Sequence, residues 1–92
     1  MRYDVKYTNQ FLKDLKIAKK QKKNLDKLFE TIDKLARGET LDARYKDHTL
    51  TGEYRLYREC HVEADWLLIY HVKEDIRVLM VYRIGSHSML FK

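Results

Sequence analysis

Two histidines, an aspartate and an arginine lie where predicted strands of this 92-residue chain begin or end, and a third histidine precedes those strands. His61 ends one predicted strand and Asp65 opens the next, while Arg83 and His87 lie around the end of the last one. His48 lies in the loop before these strands. Imidazole can act as an acid or a base near neutral pH, and a guanidinium matches the charge and shape of a phosphoryl group. These side chains are suited to moving protons at a phosphate.

The first half of the chain predicts one strand and two helices. Residues 2–7 alternate between apolar and polar side chains, which is typical of a strand. Thr8 or Asn9 then caps a first helix, and Asn24 begins a second helix for which Gly38 is a natural C-terminal cap. Because both helices carry an apolar stripe, we expect a helical hairpin with one apolar side.

The second half predicts three strands joined by short turns. Residues 39–52 show no periodicity and indicate a loop, which carries His48. The strands are predicted over residues 54–61, 65–72 and 76–84. The first two are joined by a connection short enough to bring Asp65 near His61. The predicted element order is therefore strand, helix, helix and three strands.

The composition indicates a folded protein with a single core. Hydrophobic residues make up 45% of the chain, and no apolar run approaches the ~18 residues of a membrane span. The N-terminus lacks the apolar segment of a signal peptide, and the single cysteine, Cys60, cannot form an internal disulfide. We expect one domain over residues 1–92, located in the cytoplasm and without a membrane partner.

The net charge of +5 is concentrated in one basic region. A lysine ridge of this kind can bind the phosphates of RNA, although a solvated helix face or an acidic protein partner would suit the same pattern. The lysines are Lys13, Lys16, Lys19, Lys20, Lys22, Lys23 and Lys27. We take Lys19, Lys20, Lys22 and Lys23 as candidate RNA contacts.

The element order and a series of sequence blocks resemble the YafQ-like branch of the RelE/ParE superfamily, the toxin halves of bacterial type II toxin-antitoxin pairs. The resemblance covers essentially the whole chain. It rests on residues 45–48 (YKDH), Gly52, residues 57–61 (YRECH), 65–70 (DWLLIY) and 83–91 (RIGSHSMLF). It implies an α+β, RelE-like fold in which a two-helix hairpin packs on a mainly antiparallel four-stranded sheet, in the order β-α-α-β-β-β.

The resemblance also implies an activity and partners. It implies an endoribonuclease, or mRNA interferase, that cuts mRNA, usually on a translating ribosome. A cognate antitoxin would wrap the toxin and neutralise it. Together the two proteins would repress their shared operon, so operator DNA would be bound only through the antitoxin complex.

The motif match also assigns the site residues. The catalytic positions fall on His48, His61, Asp65 and His87, the last-strand arginine is Arg83, and the terminal aromatic that helps hold the RNA is Phe91. Two more candidates for RNA binding are Lys46 and Trp66. Core packing is the alternative explanation for Trp66, and loop packing or solvation is the alternative for Lys46.

Cleavage at these residues needs no metal or other cofactor. RNA carries its own nucleophile, so a base must deprotonate the 2′-hydroxyl and an acid must protonate the leaving 5′-oxygen. We assign His87 as the proton donor and Arg83 as the phosphate clamp, with the base drawn from His48, His61 and Asp65. The expected product carries a 2′,3′-cyclic phosphate.

Three other interpretations of the same residues stay open. Three histidines and an aspartate could hold zinc or another transition metal, although their spacing contains no compact ligand pair. A toxin of the gyrase-directed ParE branch would act by binding alone, without these histidines. A plain RNA-binding module would need only the lysine ridge.

Overall fold

The computed structural model describes residues 1–91, which form three helices and one sheet. The helices are α1 (Asn9–Lys20), α2 (Leu25–Ala36) and the short α3 (His87–Leu90). The strands are β1 (Asp4–Tyr7), β2 (His48–Thr49), β3 (Arg58–Glu63), β4 (Trp66–Lys73) and β5 (Val78–Gly85). Two 3₁₀ turns, Ala43–Tyr45 and Gly52–Tyr54, flank β2 in the chain.

The five strands lie in the order β1-β5-β4-β3-β2. The strand β1 runs parallel to β5, and every other neighbouring pair is antiparallel. A parallel pair needs a crossover connection, and here the helical hairpin and three strands separate β1 from β5 along the chain. The expected α+β class and the mainly antiparallel sheet are confirmed.

The sheet has five strands rather than the predicted four. The additional strand is β2, in which His48 and Thr49 pair with Glu59 and Arg58. It was not predicted, because two residues are too few to show a hydrophobic period. The strand predicted over residues 54–61 begins only at Arg58, since Gly52–Tyr54 form a 3₁₀ turn. With β2 and α3 added, the element order departs from β-α-α-β-β-β.

Local capping explains where both long helices begin. The Thr8 hydroxyl accepts a hydrogen bond from the Phe11 amide at 3.0 Å, and the Asn24 side chain accepts one from the Lys27 amide at 3.0 Å. Each cap satisfies an amide that has no partner within the helix, which is typically worth about 1 kcal/mol. After α2 the chain turns at Gly38, whose φ of 80° suits glycine. The predicted helix boundaries are confirmed.

Apolar side chains cover the sheet on both faces. The main core lies against α1 and α2 and includes Phe11, Leu28 and Trp66. On the other face a smaller cluster of Leu67, Ile69 and Leu90 lies under α3. This two-sided cover explains why β4 is almost entirely apolar.

A glycine at the end of β5 permits the packing of α3. A Cβ atom at Gly85 would lie 2.7 Å from the Met89 sulfur, so a larger residue would require the Met89 side chain to move. Glycine thus leaves room for Met89 where α3 folds back onto the sheet, with His87 as the first residue of that helix.

The far end of β5 is held by α1. The pairing with β1 stops at Val81, and beyond it the Ile84 amide donates to the Asp14 carboxylate at 3.2 Å. The same carboxylate accepts from Arg83 Nε at 3.1 Å and Nη2 at 3.0 Å. Asp14 thus takes the place of a strand partner and fixes the strand end that leads to His87.

None of the helices within residues 1–91 is long and apolar enough to cross a bilayer.

Candidate active site

A buried glutamate on β3 lies between two imidazoles. Glu59 Oε1 is 3.6 Å from His48 Nε2 and 3.8 Å from His61 Nε2, and the glutamate side chain is 5% exposed. His48 faces Glu59 across the β2–β3 pair, while His61 lies two residues further along the same strand face. Glu59 was missed as a functional candidate in the sequence, although its spacing from His61 was a usable signal.

The loop before β2 orients the His48 ring. The Lys46 carbonyl can only accept a hydrogen bond, so the 2.8 Å contact assigns a proton to His48 Nδ1 and leaves Nε2 facing Glu59. Asp47 holds this loop, because its carboxylate accepts from Arg58 Nε at 3.2 Å and from the Tyr70 hydroxyl. The imidazole therefore has a defined orientation even though its side chain is 51% exposed.

A second carboxylate-imidazole pair lies at the β3–β4 turn. Asp65 Oδ1 accepts from the His87 backbone amide at 2.9 Å and from His87 Nδ1 at 3.1 Å. The amide bond, followed by the imidazole bond, lowers the pKa of the Asp65 carboxyl. The hydrogen-bonded partner of Asp65 is thus His87.

The two carboxylate-imidazole units meet at one edge of the molecule, which we call the imidazole rim (His48, Glu59, His61, Asp65 and His87). The ring centroids of His61 and His87 are 6.0 Å apart. The structure therefore brings together the four residues predicted as acids or bases, and it adds Glu59.

Phe91 continues the imidazole rim beyond its last histidine. The Phe91 ring centroid is 6.1 Å from that of His87, and the side chain is 37% exposed. An exposed aromatic ring at this distance could stack on a nucleobase if a phosphate of the RNA were bound at His87.

Arg83 reaches the end of β5 but is engaged elsewhere. Two of its guanidinium nitrogens donate to Asp14, and this bonding raises the pKa of Arg83. The arginine side chain is 22% exposed, whereas that of Asp14 is fully buried. Of the five predicted catalytic residues, Arg83 is the one held by an interior ion pair.

Trp66 lies in the core and is 2% exposed. The Lys23 ammonium lies 5.9 Å from the centroid of its ring, and both residues line a cleft of about 380 Å³ beside Asp65. This burial favours core packing over base stacking for Trp66. The cleft brings only Lys23 of the lysine ridge next to the rim, and the exposed residues Lys19, Lys20 and Lys22 lie beyond it.

Another cleft lies on the opposite side of the β3–β4 turn, beside His61. It measures about 310 Å³, and its walls include Lys27, Arg44 and Lys46. Positive side chains therefore flank the turn on both sides, as a polyanion would require.

No group of three or more His, Cys, Asp or Glu side chains within residues 1–91 is arranged to hold a metal ion. Cys60 is fully buried, and burial raises the pKa of its thiol, which makes it an unreactive core residue.

The family model described as the bacterial toxin of type II toxin-antitoxin system, YafQ, matches residues 3–92. The chain belongs to the YafQ toxin family. The mRNA interferase toxin YafQ of Escherichia coli K12 is 40% identical over 89 residues, covering 96% of this chain and 95% of the relative. A putative toxin YafQ of Haemophilus influenzae is 34% identical, covering 91% and 87% of the two chains.

Solved structures agree with this assignment. In the E. coli DinJ-YafQ toxin-antitoxin complex, one chain matches with a TM-score of 0.89 and 39% identity over the full length of both chains. A metal-bound toxin from Helicobacter pylori matches with a TM-score of 0.91 and 40% identity, covering 99% of this chain and all of that one. The expected RelE-like fold and type II toxin family are confirmed, and the E. coli member of this YafQ family is an mRNA interferase.

Proposed function

We propose that this chain is an endoribonuclease that cuts mRNA by acid-base catalysis at the imidazole rim, without a metal ion. The observation that carries the proposal is the arrangement of two imidazoles with centroids 6.0 Å apart, each facing its own carboxylate. Two rings that can give and take protons are what a concerted transfer across a phosphate requires. The proposed base and the proposed acid thereby come from different elements, β3 and the start of α3.

His87 is the acid in this scheme. Asp65 occupies its Nδ1, so Nε2 is the nitrogen that can deliver a proton to the leaving 5′-oxygen. The backbone bond from residue 87 to Asp65 fixes the start of α3 and with it the ring position. Proton transfer of this kind typically contributes ~10²- to 10⁴-fold in rate.

The Glu59 unit supplies the base. His61 or His48 removes the proton of the 2′-hydroxyl, and Glu59 orients both rings from beneath. The attacking oxygen then displaces the 5′-oxygen, leaving a 2′,3′-cyclic phosphate on one product and a 5′-hydroxyl on the other. Every atom and proton in this step comes from the RNA or from an imidazole.

Positive charge at the rim would stabilise the crowded phosphorane. Arg83 keeps Nη1 outside its bonds to Asp14, and this nitrogen is the part of the clamp that can reach a phosphate. Lys46 and Lys23 lie in the clefts on the two sides of the β3–β4 turn and would hold the RNA backbone as it enters and leaves.

The partners follow from family membership. E. coli YafQ forms a complex with the DinJ antitoxin, and we propose an equivalent cognate antitoxin for this chain, with operator DNA bound only through that complex. The substrate would be mRNA on a translating ribosome, which places the activity in the bacterial cytoplasm. A single domain over residues 1–92 would carry all of these contacts.

Controlled expression in a bacterium with mapping of RNA ends tests this function. Wild type should arrest growth and create new ends within mRNA, while His87→Ala and His61→Ala should create few or none. His71→Ala is the matched control, because this histidine lies on β4 away from the rim and should leave cleavage intact. Growth arrest without new RNA ends would overturn the nuclease proposal and favour a toxin that acts by binding.

Metal independence has its own test, which the metal-bound H. pylori relative makes necessary. Purified protein should cut mRNA on ribosomes after the toxin alone has been treated with a strong chelator and freed of it by gel filtration. Activity that disappears after this treatment and returns with added zinc or copper would replace the scheme above with a metal-assisted one.

A further inference from the structure

A third cleft lies between α1, β5 and α3, outside the imidazole rim. It measures about 510 Å³, within the range of small-molecule binding pockets. Its apolar walls include Ile17, Tyr54 and Met89. Ile17 is 42% exposed and Tyr54 is 37% exposed, so both present apolar surface to whatever enters the cleft.

The cleft is connected to the rim through aromatic rings. The Tyr54 centroid is 6.0 Å from that of Phe91, with the two ring planes at 90°. Phe91 in turn lies 6.1 Å from His87. A strand whose phosphate lies at His87 would therefore find Tyr54 two rings away.

The polar groups of the cleft are held in fixed orientations. Asp14 binds Arg83 through two nitrogens, so the plane of the guanidinium is set before any ligand arrives. Gln10 Nε2 donates to the same carboxylate at 3.2 Å, which leaves its Oε1 as an acceptor. A flat cation, an aromatic ring and a fixed amide oxygen are the groups that proteins use to hold an unpaired base.

We propose that this cleft is a binding subsite for one unpaired nucleobase of the RNA, stacked on Tyr54 beside the Arg83 guanidinium, with Gln10 Oε1 facing its edge. The proposal rests on the proposed nuclease function and extends it to how the RNA is positioned and which base is preferred. Gln10 Oε1 accepts hydrogen bonds, so it favours a base with an exocyclic amino group over uracil, whose exocyclic groups are both carbonyls. The subsite thus selects adenine, cytosine or guanine over uracil.

The experiment measures single-turnover cleavage of a synthetic mRNA bound to ribosomes, at toxin concentrations below saturation. One base at a time is removed from the mRNA near the cleavage point to give an abasic nucleotide. Wild type, Tyr54→Ala and Tyr54→Phe are compared, with Ile76→Ala as control, since that residue is 60% exposed in the turn between β4 and β5.

Loss of one stacked base should lower kcat/KM about 5- to 150-fold, the range expected for a base-aromatic contact. Tyr54→Ala should give a similar loss on intact mRNA and no further loss at that one abasic position, because both changes remove the same contact. Tyr54→Phe keeps the ring and should retain most of the rate, and Ile76→Ala should behave like wild type. Replacing the same base with uracil should cost wild type more than it costs Gln10→Ala.

Two results would overturn the subsite while leaving the nuclease intact. In one, His87-dependent cleavage is present but Tyr54→Ala cuts like wild type. In the other, Tyr54→Ala loses affinity for the antitoxin and keeps its rate on every mRNA, which would assign the cleft to the protein partner. Absence of cleavage by wild type would instead defeat the function on which the subsite rests.

Discussion

The imidazole rim and the Asp14 site on α1 use carboxylates in opposite ways. At the rim, the side chains of Asp65 and His87 are 64% and 58% exposed, and both can exchange protons with water. Asp14 is fully buried and binds an arginine and a backbone amide. A carboxylate paired with an imidazole is available for chemistry, whereas one paired with a guanidinium holds the fold. The protein therefore separates reactivity from stability over a few residues of β5.

Glu59 combines features of the rim carboxylate Asp65 and of the buried carboxylate Asp14. It is buried like Asp14, yet it faces histidines like Asp65. Its burial keeps the carboxylate fixed in position, and in the proposed reaction that carboxylate orients the two imidazoles. Substitutions test whether activity depends on the rim carboxylates and stability on Asp14.

Substitution of His87 at the rim should change the cleavage rate more than any other substitution, with little change in stability. His87→Gln should lower the cleavage rate by ~10²- to 10⁴-fold, because it removes the proposed proton donor. Its free energy of unfolding should stay within about 0.5 kcal/mol of wild type, since the side chain is exposed. Urea unfolding and single-turnover cleavage measure the two quantities. A large loss of stability here would erase the contrast with Asp14.

The converse effect is expected at Asp14. Asp14→Ala leaves a half-buried guanidinium and the Ile84 amide without their partner, so it should destabilise the protein by about 2–3 kcal/mol, less than a fully buried pair would. Glu39→Ala is the control, because its pair with Arg37 is exposed on both sides and should cost much less stability than the loss of Asp14. Thermal or urea unfolding distinguishes them, and equal losses would contradict the structural role of Asp14.

Glu59→Gln tests the residue that is buried like Asp14 and faces histidines like Asp65. The change keeps the volume and removes the charge that faces two imidazoles, so kcat should fall about 10- to 100-fold while KM for the mRNA stays the same. Glu63→Gln, four residues further along β3, should leave kcat unchanged. A rise in KM with kcat preserved would assign Glu59 to RNA binding instead of ring orientation.

The smallest predicted effect is a change in the pKa of the Asp65 carboxyl. Its carboxyl should titrate below the usual value of about 3.9, and His87→Ala should restore that value only in part, because the backbone amide of residue 87 is the larger cause. Since the folded-state pKa is the lower one, this interaction stabilises the fold above the unfolded-state pKa and is lost as pH falls through the folded-state pKa. Carboxyl NMR titration checks it, and complete restoration in His87→Ala would show that the imidazole alone sets the pKa.

Local signals predicted the parts of the fold that depend on neighbouring residues. Thr8 and Asn24 were found from the sequence because a helix cap involves residues only three apart. The alternation of apolar and polar residues over 54–61 puts Cys60 on the core side of that strand, and the structure buries it completely. The positions of His61, Asp65 and His87 near strand ends followed from the same periodicity and from the family resemblance.

Features that depend on distant contacts were not predictable in this way. The Asp14–Arg83 pair spans 69 residues, and no local pattern indicates it. Tyr54 and Tyr57 have aromatic side chains that favour strands, but contacts with Phe91 and Tyr82 hold them in and after a 3₁₀ turn. For the same reason the proposed nucleobase cleft could not be predicted from the sequence, since four separate elements form it.

The parallel pairing of the first strand with the last one bears on how this toxin is made. Residues 4–7 leave the ribosome early in synthesis, yet their partner strand, residues 78–85, is translated more than seventy positions later. Residues 4–7 therefore lack their hydrogen-bonding partner strand while most of the chain is synthesised. The imidazole rim cannot form until His87 has left the ribosome. Under the function proposed above, the growing chain could therefore not cut RNA on the ribosome that is making it.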